Sequence, residues 1–148
     1  MKIKSVVLLV FTAVATAAIN YSLMPTPFVF FIVFVLLSHE LGHYFSALLY
    51  KAQPDLPYII PLPLIAIGIT RVNKFNSLTP KVRKSILLNG PLFGVTTSLI
   101  IFLYLLINPI ISPMYMLMIT LIEFILNYFG SDGLKYRRIS KQELSCTF

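Results

Sequence analysis

Charge is scarce in this sequence. Of its 148 residues only 11% are charged and 57% are hydrophobic, with five acids against twelve bases. A soluble domain of this length needs a far more polar surface. The composition therefore excludes an ordinary globular protein and indicates one integral membrane domain over residues 1–148. Cysteine is almost missing. Cys146 stands alone near the end, which excludes an internal disulfide, and the terminal "CTF" does not form a prenylation box. Histidine occurs only twice, at His39 and His43. There is no internal repeat and no low-complexity tract.

A net charge of +7 would suit nucleic acid if the bases striped one surface, but they do not. They cluster at the start (Lys2, Lys4), in the middle (Lys51, Arg71, Lys74, Lys81, Arg83, Lys84) and near the end (Lys135, Arg137, Arg138, Lys141). That is the pattern of loops on one side of a membrane. No nucleic acid partner is expected; the partner is the lipid bilayer.

Four apolar stretches approach the ~20 residues a helix needs to cross a bilayer: 5–23, 27–50, 86–107 and 110–130. The turns at Met24–Pro27 and Asn108–Pro109 carry no charge. With both termini in the cytoplasm and four spans threaded, all twelve bases fall on the cytoplasmic side. The first stretch also reads as a secretory signal, with Lys2 and Lys4 before an apolar run and "ATA" at 15–17. A retained span is the expectation; cleavage would leave the orientation of the other three unchanged.

The segment "QPDLPYIIPLPLIAIGITRV", 53–72, fits no span. Prolines at 54, 57, 61 and 63 forbid a helix interior, and the apolar run from Tyr58 to Ile69 is too short to cross as one. The expectation is a re-entrant loop or a short strand pair dipping in from the cytoplasmic side. A loop resting on the membrane surface is the simpler alternative.

What stands out is "FVLLSHELGHYFSALLY", 34–50, where two histidines and a glutamate interrupt a hydrocarbon-seeking run. Each charged group buried at mid-span costs about 2.5–3.5 kcal/mol on insertion scales. His39, Glu40 and His43 spell H-E-x-x-H. On a helix, residues i and i+4 share a face, so both imidazoles can reach one zinc ion. Glu40, turned about 100° from His39, can act on a water at that metal as general base. Histidines satisfied by helix contacts are the plainer reading.

Zinc needs a third protein ligand. The remaining acids are Asp55, Glu123, Asp132 and Glu143. Asp132 sits in "NYFGSDGLKY" between Gly130 and Gly133, where the backbone can leave helical geometry. By itself "GSDG" reads first as a helix stop signal.

Together these pieces resemble the site-2 protease family of intramembrane zinc metalloproteases: "HELGH" within a span, "NGPLFG" opening the next, and "SDG" after another. The resemblance covers about 27–139, with 1–26 as an extra N-terminal span and 140–148 as a cytoplasmic tail. It implies an all-α membrane fold with a three-helix catalytic core. It implies Zn2+ held by His39, His43 and Asp132, with Glu40 activating water. The implied substrates are transmembrane or membrane-anchored peptides, and a bacterial plasma membrane is the expected location. Gly94 stands where the family's G-P-x-x-N pattern has asparagine, and the usual proline before D-G is missing. Asn127 is the candidate to steady the substrate carbonyl or oxyanion.

The implied site sets a geometric demand. His43 lies eight residues before Lys51, roughly 12 Å along a helix, whereas Asp132 is three residues from Lys135. Both reach one metal only if the chain unwinds near Gly130 and a wet recess opens from the cytoplasm. Two other functions compete. A proton or metal-ion transporter would use His39, Glu40, Glu123 and Asp132 as its path. An inactive relative would bind and sequester a membrane peptide, as an immunity protein does.

Overall fold

The computed structural model describes residues 3–21, 26–61, 66–110 and 112–145. Helix α1 (Ile3–Tyr21) leads to α2 (Thr26–Leu49). A hairpin of β1 (Tyr58–Pro61) and β2 (Ala66–Ile69) follows, then a 3-10 turn (Phe75–Ser77) and α3 (Pro80–Ile107). Helices α4 (Pro113–Phe129) and α5 (Ser131–Ser145) complete the order.

Among the described residues three helices are long and apolar enough to cross a membrane, over Lys4–Tyr21, Phe28–Leu49 and Pro80–Ile107. Helix α4 is apolar but has 17 residues, about 26 Å against a hydrocarbon core of about 30 Å. The outer surfaces are greasy: Phe11, Phe34, Leu99, Ile100, Leu121 and Phe124 all stand exposed. An apolar exterior of this extent belongs in lipid.

Helix α2 ends in a Schellman motif. Lys51 takes a left-handed backbone, φ 53°, its N–H reaches the Leu48 carbonyl at 3.0 Å, and the Ala52 N–H returns to Ala47 at 2.9 Å. Ala47 and Ala52 are then buried beside Ile86, with Val72 and Phe75 packed on them. A second cluster of Val35, Ile101, Leu105 and Met116 joins α2, α3 and α4. Helix α3 starts at Pro80 rather than near 86, because proline is well suited to a first helical position. This places Lys81, Arg83 and Lys84 on a helix instead of a loop.

The proline-rich segment resolves as the strand pair. Strands β1 and β2 run antiparallel, with Tyr58 opposite Ile69, Ile59 opposite Gly68 and Ile60 opposite Ile67. Residues 62–65, including Pro63, lie outside the described residues. The ladder is extended by a bridge from Pro54 to Val72 and by the Asp55 N–H on the Arg71 carbonyl at 2.9 Å. Proline suits this edge-like strand and would break a helix.

Helix α1 is bound in by polar groups that its composition hides. Thr12, Thr16 and Asn20, spaced four apart on one face, are all buried. The Ile59 N–H donates to Thr12 Oγ1 at 3.1 Å, so α1 covers one edge of β1. Thr16 and Asn20 bond back to carbonyls one turn earlier, at 2.7 and 2.9 Å. Each of these three buried side chains thereby makes a hydrogen bond, as an apolar setting demands.

At the other end the helix breaks where the metal reading requires it. α4 stops at Phe129, Gly130 adopts an extended backbone (φ −81°, ψ −166°), and a new helix begins at Ser131. "GSDG" is therefore both a stop and a start, and Asp132 sits in the first turn of α5.

Candidate metal centre

The spacing of His39 and His43 puts both rings on one face of α2, where they are buried at 7% exposure each. Their Nε2 atoms stand 3.2 Å apart. Asp132 arrives from α5, its Oδ2 lying 3.0 Å from His43 Nε2 and 3.5 Å from His39 Nε2. Helices α2 and α5, with His43 and Asp132 separated by 89 positions, thus bring three candidate ligand atoms together.

The triangle fits a cation. Bonds of about 2.0–2.1 Å at tetrahedral angles separate neighbouring ligand atoms by about 3.3–3.4 Å, close to the three observed edges. Proton accounting agrees. His43 Nδ1 lies 2.8 Å from the Ile86 carbonyl, and a carbonyl can only accept, so Nδ1 carries the hydrogen. In neutral His43 the Nε2 lone pair is then bare and faces another ring nitrogen and a carboxylate. A carbonyl bonded behind the ring is the usual way a ligating histidine is held in the right tautomer.

Burial alone would raise the Asp132 carboxyl, but hydrogen bonds and charge from His39 and His43, when both imidazoles are protonated and no metal is bound, outweigh it. They hold Asp132 well below the usual carboxylate range.

Glycines let the two helices interlock. A Cβ on Gly42, the glycine of "HELGH", would strike the Asn89 carbonyl and Phe93 of α3. A Cβ on Gly90, the glycine of "NGP", would overlap the His43 ring. Asn89 Nδ2 donates to Ser46 Oγ at 2.9 Å, tying α3 to α2, and to the Ser85 carbonyl of its own helix at 3.0 Å. Close backbone approach through small residues, sealed by side-chain amides, is how helices pack in lipid. Asn89 thus clamps the helices, and Gly94, where asparagine was expected, is a buried helix residue.

Glu40 lies beside the triangle but is not one of its ligands; it is 6% exposed. The Thr70 hydroxyl is 2.7 Å from Glu40 Oε2 and 3.0 Å from the Glu40 carbonyl. A Cβ on Gly68 would collide with the Glu40 side chain. Strand β2 therefore rests directly on this carboxylate. Sequence reasoning missed Thr70, Gly68 and Gly90. Their only visible signals were a glycine interrupting the apolar strand in "IGIT" and another before Pro91. The side chains of Asn127 and Glu123 lie outside the described residues.

Two cavities meet at Asp132. One, about 200 Å³, is lined by His43, Thr70, Phe75, Ile86, Leu87 and Lys135 as well as the aspartate. It carries polar groups and a lysine, as an approach for water requires. The other, about 380 Å³, lies against Leu87, Pro91, Phe124, Tyr128 and Tyr136 and is almost wholly apolar.

The sequence profile of peptidase family M50 matches residues 27–142. No curated protein and no solved structure matches the chain.

Proposed function

The chain belongs to peptidase family M50, the site-2 protease family, and on that premise we propose that it is an intramembrane zinc endopeptidase acting on transmembrane or membrane-anchored peptides. The observation that carries this reading is the His39–His43–Asp132 triangle with Glu40 buried at its side. His39, His43 and Asp132 would hold the ion. Zinc bound there would supply Lewis acidity, acidifying water and polarising a carbonyl.

The chain's own groups do the rest. Glu40 accepts a proton from the attacking water as its oxygen bonds to the carbonyl carbon. It then delivers that proton to the amine nitrogen as the C–N bond breaks. Thr70 keeps the Glu40 carboxylate aimed, and Gly68 leaves room for it. Asn127 is assigned the scissile carbonyl oxygen. The polar cavity beside His43 and Lys135 admits water to a site otherwise walled by lipid-facing helices.

A substrate helix must unwind before its carbonyls can be attacked, and the hairpin offers it a partner. The Ile59 N–H points away from β2, to Thr12. Ile59 and Gly68 are therefore a non-hydrogen-bonded pair, and the Gly68 N–H and C=O face outward from the opposite edge. An extended peptide pairing there, next to Glu40, would gain backbone hydrogen bonds as its own helix loses them.

We place α4 as a fourth span, its short length met by local thinning of the bilayer. With both termini cytoplasmic, the bases of the described segments then lie on one side, consistent with a bacterial plasma membrane. The test is co-expression with candidate membrane-anchored substrates, comparing wild type with Glu40→Gln. The variant should keep its metal and lose cleavage; a fully active Glu40→Gln rules out this function for the site.

A further inference from the structure

Asp132 reaches the histidines from the far side of a helix break, and something must hold it there. Gly130 has no side chain to brace the junction, and the last carbonyls of α4 have no helical N–H to bond. A free hinge two residues from a ligand would let the carboxylate swing.

Among the described residues, the side chain of Arg137 crosses this break. Arg137 Nη2 donates to the Tyr128 carbonyl, in the last turn of α4, at 2.8 Å. Its Nε donates to the Gly133 carbonyl, in the first turn of α5, at 3.3 Å. Its guanidinium carbon lies 4.8 Å from the centre of the Tyr128 ring, within cation–π range. The two accepting carbonyls lie on either side of Asp132 in sequence, so the fork ties together the turns before and after it. A cation at the C-terminal end of α4 also meets the negative pole of that helix.

We infer that Arg137 is a positioning residue that holds Asp132 in the ligand triangle. It acts by clamping the α4–α5 junction and touches neither metal nor substrate. Lysine cannot replace it, because a single ammonium does not present a flat face to Tyr128 while its N–H groups reach two divergent carbonyls. The inference rests on the zinc reading of His39, His43 and Asp132 and adds to it the part that gives the third ligand its direction.

The test is zinc affinity by chelator competition on full-length protein in detergent, for wild type, Arg137→Lys and Arg137→Ala. It is paired with visible absorption after cobalt substitution and with melting of the metal-free protein. Loss of an outer partner of a metal ligand typically costs about 10–100-fold in affinity. That range is expected for Arg137→Ala, with a weakened tetrahedral cobalt band and an unchanged metal-free melting temperature. Arg137→Lys, which keeps the charge and therefore the fold, should fall between the two. Wild-type affinity in Arg137→Lys, or in a folded Arg137→Ala, overturns the inference while leaving the zinc site standing. Wild-type protein that binds no zinc overturns both.

Discussion

The hydroxyl of Thr70, at the end of β2, lies 2.7 Å from Oε2 of Glu40 on α2. A residue just past the end of β2 thus steers the carboxylate that sits beside the ligand triangle, and Gly68 makes the room for it two residues earlier.

Removing that hydroxyl should disarm the base without disturbing the metal. Thr70→Val is expected to lower kcat about 10–100-fold, within the contribution of a positioned general base, with zinc content unchanged. Thr70→Ser should retain most activity. Steady-state cleavage of a quenched transmembrane peptide in proteoliposomes, alongside metal analysis, checks both expectations.

Gly90 faces His43 from α3, and any Cβ there overlaps the ring. Gly90→Ala should push His43 off the triangle and break its bond to Ile86, lowering zinc affinity about 10–100-fold. Overpacking should also cost about 1–3 kcal/mol of stability. Gly94→Ala, on the same helix, should leave zinc affinity intact. Zinc competition and thermal melting of the two variants separate these outcomes.

Thr12 accepts the Ile59 N–H at 3.1 Å in a buried setting. Thr12→Val keeps the shape and leaves that donor unmatched, a cost of about 1–3 kcal/mol. The expected result is faster amide exchange in β1 with the α2–α3 core unaffected, and recovery in Thr12→Ser. Hydrogen exchange read by mass spectrometry on 54–61 is the measurement.

Chelation should abolish cleavage, and added zinc should restore it. Asp132→Asn removes the negative ligand while keeping its size, so zinc should not restore cleavage in that variant. Full rescue of Asp132→Asn would remove the aspartate from the site.

Much of this arrangement was legible in the sequence, because membrane chemistry makes polar residues conspicuous. Two histidines and a glutamate inside "FVLLSHELGHYFSALLY" announce themselves at helical spacing, and Gly130 foretold the break that lets Asp132 turn inward. The prolines of 53–72 excluded a helix, and the strand pair that is observed was one of the readings they left, beside a re-entrant loop and a surface loop. What could not be read depends on contacts between distant segments. Thr70 looks like any threonine until β2 lies on α2, and Gly90 until α3 meets His43. Arg137 read as one more cytoplasmic base, since its two carbonyl partners are invisible in composition. Thr12, Thr16 and Asn20 are mild enough in hydropathy to pass as part of a span, although one of them binds the hairpin.

The most direct test is zinc K-edge X-ray absorption on the purified wild-type protein. A single zinc per chain with two imidazole nitrogens and oxygen ligands at about 2.0–2.2 Å is the predicted result, with one imidazole lost in His43→Ala. A protein that holds no stoichiometric zinc, or a metal shell without two imidazoles, would contradict it.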